Sequence, residues 1–448
     1  MNANAHSLLL TDLYELTMAA AFFENHHNPT ATFELFVRRL PENRNFLVAA
    51  GLEQALEWVE QTCCGKVDVD FLRRHPAFGH ISDEFFEYLR NFRFSGEIWA
   101  VSEGTVVFPN EPLVRVTAPL IEAQVLETYL LAAITYQTTV ASKAARVILA
   151  AQGRDVVEFG SRRAHGPEAG LLAARAAYIA GCAGTSNVEA GRRFGIPTFG
   201  TIAHSYVMAF DDEVEAFQRY SSLFPEASVL LVDTYDTLRA VDKIIAAGLK
   251  PQGIRLDSGD LAELSTAARR RLDAAGLNET KIFASGDLNE QSIVELGRRG
   301  AKIDAYGVGT ELVVSRDAPA LSGVYKLVEL ERDGRTSYQA KFSADKGTHP
   351  AAKQVWRFRD ADGKFARDLI SQAGKRIAGA EPLLVKVMSE GKRTSHETLE
   401  QIRARAKKQI EDLPQQLLSL EQEAKYRVEF SDELERLLAS VRKEHQPA

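Results

Sequence analysis

The chain has 448 residues, more than one hydrophobic core usually serves, and its 45% hydrophobic, 26% charged and 8% aromatic content excludes a disordered or fibrous protein. A net charge of -7 without a basic block excludes a phosphate-tracking nucleic-acid surface, so any phosphate must be held locally. Cys63, Cys64 and Cys182 give neither an even disulfide set nor a zinc spacing, which predicts a reducing compartment.

The first predicted element is a helix over Leu9–Phe23, followed by a β-like run, Ala31–Val37, and helices near Leu52–Glu60 and Asp83–Leu89. A β-rich patch, residues 96–117, contains Gly104, Pro109 and Pro112 and reads as a small antiparallel module. The most apolar stretch, Leu120 to Ala151, is broken by Glu122, Glu127, Lys143 and Arg146. With no basic segment leading into an apolar core at the N-terminus, the expectation is a cytoplasmic protein without a membrane span.

From Asp155 the pattern changes to short β-favouring runs alternating with amphipathic helices, the signature of βα units and a parallel sheet. The runs are Asp155–Phe159, Ile196–Phe199, Ser228–Val232, Gly253–Leu256, Lys281–Ala284 and Ile303–Tyr306, with a possible seventh at Ala180–Ala183. The helices between them are predicted over Glu168–Ile179, Asp212–Ser221, Asp236–Ala247, Leu261–Ala275 and Glu290–Arg299. That count favours an irregular α/β barrel over a doubly wound open sheet. Beyond Val324 come β-like runs, Val324–Leu330 and Val355–Phe358, then long charged helices from about His396 to the end, a solvated face or an oligomer contact. The expected domains are an N-terminal α+β domain, 1–134, a barrel, 135–323, and a β/helical extension, 324–448, packing on the first.

Polar and glycine-rich turns follow the barrel runs, where an α/β barrel places its reacting groups. His204 closes Gly200-Thr201-Ile202-Ala203 just past one run; taken alone, a histidine there is usually a solvated or hydrogen-bonded structural residue. Arg255 has a planar fork suited to a carboxylate or phosphate and is costly to bury unpaired. After it, Asp257-Ser258-Gly259-Asp260 offers carboxylates for Mg²⁺ or sugar hydroxyls, although Ser258 or Asp260 also fits a helix N-cap. Gly307-Val308-Gly309-Thr310 and Ser285-Gly286-Asp287 let backbone amides approach an anion, or are plain tight turns. Phe159 with Arg162 suits an aromatic acid beside phosphates, with core packing and a surface turn as the ordinary alternatives. Asp233 is placed to accept a hydrogen bond from His204, leaving the other ring nitrogen nucleophilic.

Together these segments resemble the nicotinate phosphoribosyltransferase family, from Thr11-Asp12-Leu13-Tyr14-Glu15-Leu16-Thr17-Met18 to Gly323-Val324-Tyr325-Lys326-Leu327-Val328. The resemblance implies the type II phosphoribosyltransferase fold and synthesis of nicotinate mononucleotide from nicotinate and phosphoribosyl diphosphate. It also implies ATP hydrolysis through a phosphohistidine at the position of His204, with Mg²⁺ as cofactor. By the same carry-over Tyr14, Phe159, Arg162, Thr201 and Arg255 surround nicotinate, while Asp257, Gly286, Gly309 and Thr310 hold ribose, phosphate and Mg²⁺, the metal at Asp257. The Tyr14 loop is expected from a neighbouring subunit, which implies a homodimer. Related nicotinamide enzymes carry an aspartate after a Gly-Thr pair, whereas Ser186 follows Gly184-Thr185 here and Arg255 attracts an acid, favouring nicotinate. The alternatives are a nicotinamide or quinolinate phosphoribosyltransferase and, in another class, a non-catalytic protein that kept the fold.

Overall fold

Alternating β runs and amphipathic helices can bury both faces of a parallel sheet, and the computed structural model shows this arrangement for residues 139–319. It describes residues 6–343, 346–394 and 396–445. The chain divides into two units, Met1–Thr138 with Ala320–Ala448, and Thr139–Pro319.

In the second unit the strands are Asp155–Glu158, Gly184–Thr185, Val229–Leu231, Gly253–Leu256, Lys281–Ala284 and Ala305–Val308. All pair in parallel, and the first in the chain pairs with the last, Val157 opposite Gly307, as a barrel requires. The irregularity lies at one seam. The predicted run Ile196–Phe199 contributes a single bridge, Thr198 to Thr185, and among the described residues no ladder joins it to Val229–Leu231. Pro197 has no N–H to donate, which limits this run as a ladder strand.

Two other runs shift. The predicted strand at 180–183 begins only at Gly184, because Gly181 at φ 124 turns the chain as the preceding helix ends at Ile179. The last strand starts at Ala305 rather than Ile303, since the Asp304 carboxylate accepts the Ile282 amide of the neighbouring strand (2.8 Å). Short helices run over Val188–Phe194, His204–Met208 and Thr310–Val313, and the longer helices, which answer the predicted ones, are Pro167–Ile179, Glu213–Leu223, Thr237–Ala246, Leu261–Ala274 and Glu290–Arg298. Asp212, Asp236, Asp260 and Asn289 cap four of them by accepting backbone N–H groups of the first turn. Asp260 is therefore a cap, and it also pairs with Arg299 at 2.7 Å. Leu230, Val241, Ile244, Ile254, Leu272 and Ile282 are fully buried between sheet and helices, each worth about 1.5–3 kcal/mol relative to exposure.

The first unit is built on a seven-stranded antiparallel sheet in the order 335–338, 323–332, 30–37, 112–119, 97–101, 384–389, 392–393. The β-rich patch at 96–117 is thus no separate module: 97–101 and 112–119 are central strands here, and 106–107 pairs with 47–48. A second sheet orders 381–382, 353–359, 365–372 and 428–430. Helices Leu13–Glu24, Leu52–Gln61, Asp83–Arg90, Leu399–Glu411 and Asp432–His445 answer the predicted ones, and Lys66–Arg74 is additional. Residues 446–448, into which the last predicted helix extends, lie outside the described residues. No helix of the described residues is long and apolar enough to cross a membrane.

Candidate active site

The C-terminal ends of the barrel strands in the second unit converge on Arg255. On its strand Ile254 and Leu256 are fully buried, and the alternation turns Arg255 to the other face, where its side chain is 15% exposed. Its fork is held on three sides: Nε donates to Ser285 Oγ (2.7 Å), Nη1 to Thr201 Oγ1 (2.8 Å) and Nη2 to Asp257 Oδ1 (2.6 Å). Two N–H groups of the five remain for a ligand. Burial alone would raise the Asp257 carboxyl, but hydrogen bonds from Ser285 and Arg255 outweigh it and hold the group below its usual value.

His204 opens the short helix His204–Met208. Its Nδ1 lies 3.2 Å from Thr234 Oγ1 and its Nε2 3.9 Å from Asp257 Oδ2, with the side chain 43% exposed. Asp233 therefore does not hydrogen-bond His204, contrary to the sequence reading. Its Oδ2 accepts the Asp257 amide (3.1 Å) and the Ser258 hydroxyl (2.5 Å), while Oδ1 is buried with no hydrogen-bond partner among the described residues. A carboxylate beside a turn rich in donors is drawn to that turn, and the neighbouring Thr234 orients the ring instead.

Phe159 is both packing and wall. Its amide donates to Val308 O (2.8 Å), its ring lies 5.5 Å from Phe283, and the Arg255 guanidinium sits 5.8 Å from its centroid. Glycine at 307 makes this possible: a Cβ there would fall 2.8 Å from both rings. Gly286, at φ 95, is equally constrained, because a Cβ would meet Asp257 O at 2.1 Å. Gly309 and Thr310 follow the last strand, and Arg162 and Arg163 stand exposed after the first.

Two adjoining cavities share Phe159, Arg162, Arg255 and Asp257. One, about 270 Å³, is floored by Ser285-Gly286-Asp287 and by Gly307, Gly309 and Thr310. The other, about 230 Å³, is walled by Ser186, Gly200 to His204 and Leu231. Hollows of about 430 Å³ beside Arg38 and Tyr426, and about 560 Å³ beside Arg154 and Lys281, are larger. Neither contains the histidine, carboxylate and arginine side by side, so chemistry rather than size singles out the smaller pair. Among the described residues no three His, Cys, Asp or Glu side chains group as an all-protein metal cage needs. Mg²⁺ asks less, one or two carboxylates completed by phosphate oxygens and water, and Asp257 with Asp287 on one cavity wall fits that donor set.

The structure thus brings together Phe159, Arg162, Thr201, His204, Arg255, Asp257, Gly286, Gly309 and Thr310, with Asp233 behind Asp257. Tyr14 belongs to the first unit, on the helix Leu13–Glu24 and 47% exposed. Burial and the carboxylates of Glu127, Glu15 and Asp12 push its phenol up. Sequence reasoning misses Thr234 and takes Ser285 only as part of an anion turn, not as the hydroxyl that holds Arg255; a hydroxyl next to an expected functional residue is the available signal.

Comparisons with known proteins place the barrel first in a class. Residues 140–317 match the family model of the quinolinate phosphoribosyl transferase C-terminal domain. Residues 9–135 and 375–438 match those of the nicotinate phosphoribosyltransferase N-terminal and C-terminal domains. A nicotinate phosphoribosyltransferase of Mycobacterium tuberculosis is 48% identical over 97% of this chain and 94% of its own, and one of Bacillus subtilis 45% over 78% and 72%. The crystal structure of human nicotinic acid phosphoribosyltransferase superposes with a TM-score of 0.84 at 28% identity, covering 96% of this chain and 99% of that one. A nicotinate-nucleotide pyrophosphorylase from Pyrococcus furiosus shares the fold, at a TM-score of 0.73 and 24% identity over 90% and 95%. The chain belongs to the nicotinate phosphoribosyltransferase family.

Proposed function

We propose that the protein joins nicotinate to phosphoribosyl diphosphate in NAD biosynthesis, and couples this to ATP hydrolysis through a phosphate carried on His204. The pyridine nitrogen forms the bond to ribose C1 as the C1–oxygen bond to diphosphate breaks, giving nicotinate mononucleotide and pyrophosphate. The names of the relatives support the substrate. The single observation that carries the reading is the pair of cavities meeting at Arg255, one walled by His204 and Ser186, the other by glycine turns.

Each part of the wall has a task. Arg255, over the Phe159 ring, attracts a carboxylate on an aromatic acid, and Ser186 adds no negative charge to oppose it. Backbone at Gly286 and Gly309 approaches phosphate oxygens closely, while Arg162 and Arg163 offset their charge. Asp257 and Asp287 would hold Mg²⁺, which when bound neutralises charge growing on the leaving diphosphate. Thr234 occupies Nδ1 of His204, so Nε2 is the nitrogen left to take the γ-phosphate as ADP departs. Hydrolysis of that phosphate returns free His204 and inorganic phosphate, and the added charge in between favours a Mg²⁺-bound diphosphate. A cytosolic homodimer, with Tyr14 supplied by the neighbouring copy, completes the reading.

The test is a paired assay with nicotinate or nicotinamide, phosphoribosyl diphosphate and Mg²⁺, with and without ATP, following mononucleotide and ADP together. Nicotinate mononucleotide formed with ADP is the expected result. Turnover of nicotinamide instead overturns the Ser186 and Arg255 argument; turnover of quinolinate alone moves the substrate to a second carboxylate; turnover of none removes the enzymatic reading.

A further inference from the structure

Beneath the His204-side cavity lies a buried pair that lines neither hollow. Glu158 ends the first barrel strand and is fully buried. Its Oε2 accepts the Thr185 hydroxyl at 2.5 Å, and its Oε1 accepts the Gly160 amide. Thr185, also fully buried, is the hub. Its Oγ1 accepts the Asn187 amide (3.0 Å), and Asn187 Nδ2 donates to Ser161 Oγ (3.1 Å). Its own amide donates to Pro197 O (3.0 Å), and its carbonyl accepts the Phe199 amide (2.9 Å). A Cβ on the adjacent Gly184 would lie 2.2 Å from Pro197 O and 2.6 Å from the Phe199 ring, so the 197–199 segment has no slack against this strand.

Three segments hang on that hub: the Phe159–Arg162 turn, Ser186, and the run that leads from Pro197 through Thr201 to His204. All three wall the His204-side cavity. The Gly286 turn hangs elsewhere, with Ser285 N bonded to Leu256 O and the next helix anchored where Glu290 meets buried Lys143 (2.6 Å) and Arg146 (3.0 Å), and Gly309 and Thr310 follow Val308, whose strand pairs with that of Glu158 but not with that of Thr185.

We infer that Thr185, held by Glu158, is a positioning residue that sets the pyridine side of the site, through Ser186 and the 197–201 run, more than the phosphate side, with which it shares only the Phe159–Arg162 turn, and so governs capture of the aromatic acid. This rests on the proposed function above. Thr185 touches no substrate; it fixes the spacing between Arg162, Ser186 and Thr201. Removing its hydroxyl leaves the Glu158 carboxylate and the Asn187 amide short of a partner while changing no lining side chain.

The experiment is steady-state kinetics of wild type, T185V and T185S with each substrate varied in turn. T185V is expected to raise KM for nicotinate about fivefold or more, the equivalent of one lost buried hydrogen bond. KM for phosphoribosyl diphosphate should stay within about twofold, and T185S, which keeps the hydroxyl, should restore both. T185A, with the same expected split, serves if T185V is insoluble. Equal changes in both KM values, no change in either, or T185S behaving as T185V overturns the inference alone. A wild type that turns over no nicotinate overturns the proposed function and this inference with it.

Discussion

The two cavities at Arg255 are similar in size but are supported in opposite ways. The His204-side cavity rests on neutral donors around one carboxylate, Glu158 with Thr185 and the Gly160 amide. The glycine-floored cavity rests on formal charge: Lys143, 1% exposed, bridges Glu290 at 2.6 Å and Asp317 at 2.9 Å, and Arg146 joins Glu290 at 3.0 Å. A buried ion pair is costly to break, because the partner left behind is charged and desolvated. A neutral network fails more gently and more locally. Hence damage to the charged support should unfold the protein, whereas damage to the neutral one should retune a substrate.

That contrast can be broken in order of effect. H204A should abolish ATP stimulation and ADP release, lowering ATP-coupled turnover on the order of 100-fold or more while mononucleotide synthesis without ATP survives. Full ATP stimulation in H204A would end the phosphohistidine reading. E290Q should lower stability by about 3–5 kcal/mol, seen as a reduced urea midpoint, since Arg146 and Lys143 both lose the Glu290 carboxylate and Lys143 keeps only Asp317. R255K replaces a fork that serves Thr201, Ser285 and Asp257 at once; kcat/KM for nicotinate should fall by about 2 kcal/mol or more, roughly 30-fold. S186D should weaken nicotinate about tenfold by like charge, and unchanged affinity for the acid would remove Ser186 from the specificity argument.

The smallest effect concerns pH. Burial raises the Glu158 carboxyl, and the hydrogen bonds from Thr185 and Gly160 only partly oppose it. The native state therefore keeps this proton to higher pH than the unfolded chain does. Its contribution to stability declines as pH rises from the ordinary carboxylate range through the raised native value. E158Q has no proton to lose, so the stability difference E158Q minus wild type should grow more favourable across that window. Urea unfolding at a series of pH values from about 4.5 upward reads it directly.

Regular features were legible in the sequence because local chemistry decides them. Most of the longer helices of the barrel start where Asp or Asn caps them, and Asp236 and Asn289 mark the start of a helical period. Arg255 was legible because a cation interrupts an apolar strand of alternating burial. Residues that depend on distant partners were not. Phe365–Gln372 reads as a polar stretch, yet its Asp368 is fully buried against Arg357 at 2.6 Å, so a strand was hidden by a charge whose partner sits on the facing strand. Asp233 was given the wrong partner for a related reason. Proximity of two strand ends allows several hydrogen bonds, and only the fold shows that the Asp257–Ser258 turn satisfies it while Thr234 meets His204.

The seam of the barrel has a mechanical consequence. Elsewhere around the ring, parting two strands means breaking a row of backbone hydrogen bonds at once. Between the Thr198 bridge and Val229–Leu231 there is no such row among the described residues, and the His204 to Thr234 contact spans from one side to the other. From Gly184–Thr185 round to Val229–Leu231 the ring is therefore joined by one bridge and side-chain contacts instead of ladders, and the histidine stands on that side. A bulky charged group arriving there meets a part of the wall held by side-chain contacts such as His204 to Thr234, with no backbone ladder to break.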